Sequence, residues 1–249
     1  MSDFREFLNV YEFDCVLPGS GKKVKFKPIT TGQLKTLLTY EGETDPMVIE
    51  EALDKLMSSA IITEDFDITD LYLQDRFQLL VEIRKRTKGS KYTFTHTCNN
   101  KKCKSDTLQS IDIGKMKVKK PTKVDQWVKV DKDISVKLVY IKRKHNIEAF
   151  ETLKNIESYN EMTKTQKDTE MTILTHAASI ESVKTPKGKE APELLDKQFL
   201  LENCPTDGYD KVKKWHKDND FGMEFKFIFK CVHCKRKETV NVPTEGFFV

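Results

Sequence analysis

The sequence predicts an α+β protein made of two degenerate repeats, each running β-hairpin, helices, cysteine hairpin. Three observations predict it. Cysteine pairs stand at Cys98/Cys103 and at Cys231/Cys234, each between two strand-like runs. Alternating apolar residues open both halves, over 12–29 and 126–140. Between each opening hairpin and its cysteine pair, apolar residues recur at helical spacing. The halves divide as residues 1–122 and 123–249, and a site shared by the two cysteine pairs is expected to draw them into one compact unit.

In the first half, Phe13, Cys15 and Leu17 alternate, Pro18-Gly-Ser-Gly21 turns the chain, and Val24, Phe26 and Pro28 alternate on the way back. The turn is no phosphate loop, because the Walker pattern would need glycine where Val16 stands and Ser or Thr where Lys23 stands. Thr30 and Gln33 have capping-box spacing ahead of an apolar stripe of Leu34, Leu37 and Leu38. Asp45-Pro46 starts a second helix, with Val48, Ile49, Ala52, Leu53, Leu56, Met57 and Ala60 on its buried face. A third runs from about Asp70 to Lys88, with Leu73, Phe77, Leu80 and Val81 inward, and Gly89 ends it. The first cysteine hairpin follows, Tyr92 to His96 and then Thr107 to Ile113.

After Pro121 the order begins again. Trp127, Val128 and Val130 lead to an Asp-Lys-Asp turn, then Ile134, Val136, Leu138 and Tyr140 alternate. A helix capped near Asn146 carries Ile147, Phe150 and Leu153, and another covers roughly 165–181. Ser182 to Glu190 reads as a polar loop. A helix from Pro192 presents Leu194, Leu195, Phe199 and Leu200, and a short one after Pro205-Thr206 presents Tyr209, Val212 and Trp215. The second cysteine hairpin, Met223 to Phe229 and Glu238 to Val242, closes the chain. Leu73-Gln-Asp-Arg-Phe77 has a counterpart in Leu195-Asp-Lys-Gln-Phe199.

The cysteines carry the chemistry. One pair at a tight turn supplies half of a tetrahedral zinc site; Cys98, Cys103, Cys231 and Cys234 together supply the closed all-sulfur shell of structural zinc. Lys101, Lys102, Lys104, Lys230 and Lys235 flank the pairs and favour thiolate. Four free thiols at loop tips are the plain alternative. A redox role fits poorly, since a thioredoxin-like dithiol opens a helix and here a strand follows Cys234. Cys15 and Cys204 stand alone. His96 and His233 could replace a sulfur, but four cysteines suffice.

Other chemistry is thin. His145, His176 and His216 have no matching nucleophile or paired carboxylates, and no glycine-rich loop cradles a phosphate. The expectation is a protein that is not an enzyme and takes no small-molecule substrate. The chain has 249 residues and a formal charge of +4. That length accommodates a real core, and that charge implies no strong polyanion partner for the chain as a whole. No apolar run approaches the length of a membrane span, and Met1 to Phe7 lacks a basic-then-apolar signal segment. Lys115 to His145 is lysine-rich with only Asp125, Asp131 and Asp133 as acids, and reads as a solvated linker and hairpin.

Three blocks resemble a known family. They are Val24-Lys-Phe-Lys-Pro28-Ile-Thr-Thr-Gly-Gln33-Leu-Lys35, then Asp75 to Arg84 with Gly89 and the first cysteine pair, and lastly Phe221-Gly-Met-Glu-Phe225 through Cys231-Val-His-Cys234 to Pro243 and Phe247-Phe248. These are similar to baseplate hub assembly proteins of contractile-tailed phages of the T-even type, the hub assembly catalyst family. The resemblance implies a non-enzymatic assembly factor that binds baseplate hub proteins in the host cell cytoplasm and is absent from the finished virion. Phe247-Phe248 is a candidate docking point, or else packs on its own ribbon. The alternative is a nucleic-acid-binding zinc-ribbon protein such as a phage transcription regulator; Asp106, Asp112, Glu238 and Glu245 near the hairpins speak against it.

Overall fold

The computed structural model describes residues 11–40, 42–43, 45–244 and 247–248. Met1 to Phe7 and Glu245, named above, fall outside them. Among the described residues the protein is mixed α+β, with seven α-helices and twelve short strands. No helix among them is long and apolar enough to cross a membrane.

The chain forms two units. Unit 1 is Met1–Phe66, Phe77–Lys119 and Gly222–Val249; unit 2 is Asp67–Arg76 and Lys120–Phe221. This differs from the expected division at residue 122. The chain leaves unit 1 along β5 (Val118–Lys119) and returns along β10 (Gly222–Met223), and these two strands pair antiparallel. The closing cysteine hairpin therefore belongs with the first one.

In unit 1, β1 (Phe13–Val16) and β2 (Lys23–Phe26) form the expected hairpin. Gly21 takes the left-handed φ of +69° that its turn needs. Helix α1 (Thr31–Leu38) has the full capping box: Gln33 N–H donates to Thr30 Oγ1 at 3.3 Å and Thr30 N–H donates to Gln33 Oε1 at 2.7 Å. Its leucine stripe buries nothing completely. Helix α2 (Pro46–Ala60) begins where Asp45 accepts the Met47 N–H, and buries Met47, Ala52, Leu56, Met57 and Ala60. Val48 and Leu53 are half-buried and Ile49 is exposed, so the buried stripe is narrower than the apolar one.

Helix α3 (Leu73–Lys88) contains a boundary between the units and is buried on more than the expected stripe. Leu79, Leu80, Val81 and Ile83 are buried, and so is Arg84. The Arg84 guanidinium donates to the carbonyls of Phe247 (3.2 Å) and Gly89, and lies over the rings of Tyr92 and Phe247. Phe247 and Phe248 are 4 % and 2 % exposed. The docking role considered for them is thus corrected: Phe247 stacks edge-on against Tyr92 and Phe225, so the aromatic end of the chain is core.

In unit 2, β6 (Trp127–Lys129) and β7 (Ser135–Leu138) pair as expected. The expected polar loop is instead a hairpin, β8 (Ile180–Thr185) and β9 (Gly188–Glu190), completing an antiparallel sheet in the order β6-β7-β8-β9. Ile180 and Val183 are both buried although three residues apart, because a bulge at Glu181 breaks the strand alternation and hides it in the sequence. Helix α4 (Arg143–Lys154) starts three residues before the expected cap, because His145 Nδ1 accepts the Lys142 N–H at 3.2 Å. Helix α5 (Lys164–Ala178) has a Thr163/Gln166 capping box. Helix α6 (Leu194–Asn203) buries Leu194 and Leu201 but leaves Leu195 and Phe199 63 % and 67 % exposed. Helix α7 (Thr206–Asp218) buries Val212 and Trp215, and the Trp215 indole N–H donates to Asp125 O. The second opening hairpin is half of a larger sheet, and both cysteine hairpins fall in unit 1.

Unit 2 also holds three histidines against their charge. Burial together with Lys144 and Lys142 pushes His145 down to about 4. Burial and neighbouring His176 push His216 down to about 3, and His176 itself is lowered by burial and by Lys213. The two rings stack at 5.0 Å, with His176 hydrogen-bonded to Tyr209 and His216 to Ser179. Unfolded histidines take up protons near pH 6.5, before the folded ones do. Stability from these groups is therefore fully present above about pH 6.5 and is lost as pH falls towards the folded values. Both tryptophans, Trp127 and Trp215, lie in unit 2. The melting temperature followed by tryptophan fluorescence should fall steadily from pH 6.5 to pH 4.5; a flat profile would contradict histidines buried in neutral form.

Candidate metal centre

Two hairpins of unit 1 carry the cysteines. The first is β3 (Lys91–Thr97) with β4 (Asp106–Asp112), the second β11 (Lys226–Lys230) with β12 (Lys237–Asn241). Each turn is closed by backbone bonds around its first cysteine. Cys98 N–H donates to Ser105 O at 3.0 Å, and Cys231 N–H donates to Arg236 O at 2.9 Å. In each, the residue following the second cysteine is a lysine in the left-handed region, Lys104 at φ +43° and Lys235 at φ +62°. A side chain there costs energy, and it recurs at the same point of both turns. The extra residues of the first turn are absorbed by a bend in which Cys103 N–H donates to Asn100 O.

The four sulfurs converge. All lie within 4.8 Å of one another, with Cys98 Sγ 3.6 Å from Cys234 Sγ and Cys103 Sγ 3.8 Å from Cys231 Sγ. A tetrahedron with metal–sulfur bonds of about 2.3 Å has edges of about 3.8 Å. The donor set thus has the size and composition of a four-thiolate metal site and could hold a metal ion. All four residues belong to unit 1, so the two cysteine pairs meet within one unit. The two pairs, one from each sequence half, come together as the sequence reading expected, and they do so inside unit 1.

The surroundings are dry below and polar at the side. Cys98, Cys231 and Phe229 are buried together, with Phe227 and Val240 against them; Cys234 is exposed. Ser105 Oγ lies 3.3 Å from Cys103 Sγ and 3.4 Å from Cys231 Sγ. The Ser105 hydroxyl is the main cause that brings Cys231 down to about 5. The Asn100 backbone contact works to lower Cys98, but burial and the sulfurs of Cys234 and Cys231 outweigh it and push Cys98 up to about 12. Cys234 is lowered as well, chiefly by its contact with the Arg236 backbone. A cluster that draws Cys231 and Cys234 towards thiolate while holding Cys98 as a thiol is one that a divalent cation would relieve.

Beside the sulfurs, Glu238 of β12 ties the second hairpin to the first. Its Oε1 accepts the Asn99 N–H at 3.2 Å and lies 3.2 Å from His96 Nε2. The His96 ring rests edge-on against Phe229 at 4.5 Å. His96 is therefore occupied as a brace, and His233 is exposed on its turn. Ser105, Asn99 and Glu238 were not singled out from the sequence as parts of the site. Ser105 sits two residues after Cys103, which is the one local hint; Glu238 becomes visible only when β11 and β12 are in register. Cys15 and Cys204 lie apart from the cluster.

An open cleft of about 830 Å³ in unit 2 is lined by Tyr72, Lys142, Lys144, His145, Glu148 and Lys197 among others. Asp70 bridges Lys142 and Lys144, so much of its positive charge is internally compensated. Neither a curated protein nor a solved structure matches the chain. A family model described as T4 bacteriophage base plate protein matches residues 9–249. Matched over nearly its whole length, the chain belongs to the T4 bacteriophage base plate protein family.

Proposed function

We propose that this chain is a non-enzymatic assembly factor for the hub of a contractile-tail baseplate, and that it binds hub subunits. The observation that carries this reading is the family match over residues 9–249. The reading places the protein in the host cell cytoplasm during assembly and leaves it out of the mature virion. "Catalysis" in this setting is the holding of subunits in a form that can join, with no covalent step.

In the same reading the four cysteines hold structural zinc. The sulfur separations of 3.6 and 3.8 Å support this, as does a shell of thiolates alone, which suits zinc and leaves no open position for a reacting molecule. When bound, the ion would neutralise the crowded thiolates and join the β3–β4 turn to the β11–β12 turn. Cys98, Cys103, Cys231 and Cys234 would hold it, with Ser105 and Glu238 orienting the two turns.

Co-expression with the hub subunits and affinity capture tests the function. The expected result is co-purification of at least one hub protein at moderate salt. Capture of no tail protein, together with salt-sensitive retention of DNA, would overturn it in favour of a nucleic-acid-binding ribbon. Elemental analysis of the purified chain should give one zinc per chain, and a folded protein without metal would defeat the zinc assignment.

A further inference from the structure

The outer face of the β6-β7-β8-β9 sheet carries a row of lysines that its own fold leaves uncompensated. In the register of the sheet Lys129 stands opposite Ser135, Ser135 opposite Lys184, and Lys184 opposite Lys189. The row thus runs Lys129, Ser135, Lys184, Lys189, one residue from each strand. The adjacent row on the inner face holds Val128, Val136 and Val183, packed in the core of unit 2, and ends at the exposed Glu190 on β9. The next outward row holds Trp127, Lys137 and Ser182.

Like charges directly opposite on neighbouring strands are destabilising. Lys184 and Lys189 are such a pair, and Lys129, Lys184 and Lys189 are all exposed. Among the described residues none of the three has an ion pair, whereas Lys137 in the next row is matched by Glu181 at the bulge. The turns hold Asp131 and Asp133 on one side and Lys132 and Lys187 on both, and the Asp131 carboxylate is engaged with the Lys132 N–H. Between the lysines lies a shallow depression of about 130 Å³, lined by Trp127, Ser135, Lys184 and Lys189. Lys189 Nζ sits over the Trp127 ring, 5.0 Å from its centre.

We infer that this sheet face is a docking surface for an acidic, extended segment of a partner protein. Strands stand about 4.8 Å apart, so the row spans about 14 Å, the reach of some four extended residues. Carboxylates meeting Lys129 at one end and Lys184 and Lys189 at the other would relieve the repulsion, and the Ser135 hydroxyl offers a hydrogen bond between them. The chemistry favours a protein over a nucleic acid. The basic side chains of these rows are all lysines, without the planar arginine forks that grip phosphates. Single-strand binders stack successive bases on several aromatics, and this face has Trp127 alone, already covered by Lys189. The chain as a whole carries only +4. The inference rests on the proposed function only in taking the partner to be a protein.

The test uses the full chain, a fluorescent oligoglutamate peptide and a thymidine oligonucleotide of equal length. The peptide should bind at low salt and be weakened as salt screens the lysines. Replacing the row together, Lys129→Thr, Lys184→Thr and Lys189→Thr, should weaken the peptide by about tenfold. The melting temperature of the variant should stay level or rise, because repulsion is removed and threonine suits a strand. Equal peptide binding by the variant would overturn the inference, as would binding to neither probe by the wild type. Tighter oligonucleotide binding, lost in the variant, would overturn it by making the face a nucleic-acid surface. Hub capture that survives in the variant would overturn the surface while leaving the proposed function intact; failure of hub capture by the wild type would defeat that function, and the peptide result would still decide the surface.

Discussion

Serine at Cys231 is expected to strip the metal from the protein and release the closing hairpin. Zinc should fall from one per chain to near zero, and the same loss should follow treatment of the wild type with a strong chelator. Structural zinc sites supply apparent binding energy on the order of 10 kcal/mol or more, comparable to the whole stability of a domain. The β11–β12 ribbon has a small core of its own, with Phe227, Phe229 and Val240 around the sulfurs, and besides the sulfurs it meets β3–β4 through Glu238 on His96 and Asn99 and through Phe227 against Phe94. These few contacts are expected to be too weak to hold it without the ion. Proteolysis should then cut between Cys231 and Val242 in the variant and spare the wild type. The tryptophan transition, which reports on unit 2, should move far less. Cys15→Ser is the control and should keep its zinc, since Cys15 lies outside the cluster. A Cys231→Ser protein that retains full zinc and resists the protease would sink the assignment.

The second large effect is expected at Gly208, in the first turn of α7. A Cβ built there would lie 2.0 Å from the carbonyl oxygen of Val130 and 2.9 Å from its carbonyl carbon. Val130 is buried and held by its N–H to Ile134 O at 3.0 Å, so the obstacle is fixed backbone. Helix propensity alone would make Gly208→Ala stabilising by about 1 kcal/mol. The contact reverses that sign: α7 must lift from the chain after β6, disturbing Val212 and Trp215 in the same core. Overpacking against a rigid neighbour costs about 1–3 kcal/mol and sometimes more, so we expect a net loss of about 3 kcal/mol in urea unfolding followed by tryptophan fluorescence. An alanine variant as stable as wild type would show that the close approach is not real.

These two predictions differ in how far the sequence alone anticipates them. The cysteine turns are local features. A strand, two cysteines at a tight turn and a returning strand can be read from the sequence between Tyr92 and Ile113, and again between Met223 and Val242. The capping box at Thr30 and Gln33 and the Asp45-Pro46 helix start are local in the same way, because each is closed by bonds within three residues. The Val130–Gly208 contact joins positions far apart in the chain, and no pattern near either residue announces it.

The errors have the same origin. Of the four apolar residues named in α6, Leu194 is buried together with Leu201, while Leu195 and Phe199 are exposed, because tertiary packing sets which face of α6 turns inward. The strands of the β8–β9 hairpin look like a polar loop because one face of an antiparallel sheet is solvated and lysine-rich, and only Ile180 and Val183 mark the other. Phe247 and Phe248 look like an exposed tail because they end the chain, whereas Arg84 and Tyr92, distant in sequence, enclose Phe247.

By itself the sequence determined the α+β character, four of the hairpins, most helix starts and the four cysteines that cluster, since these depend on capping, periodicity and turn chemistry within a few residues. Only the tertiary structure decided that the last hairpin returns to unit 1 through β5 and β10, that Ser105 and Glu238 support the sulfurs, and that three lysines align across one sheet. Those outcomes depend on strand register and long-range packing, where a shift of one residue would send each side chain to the opposite face.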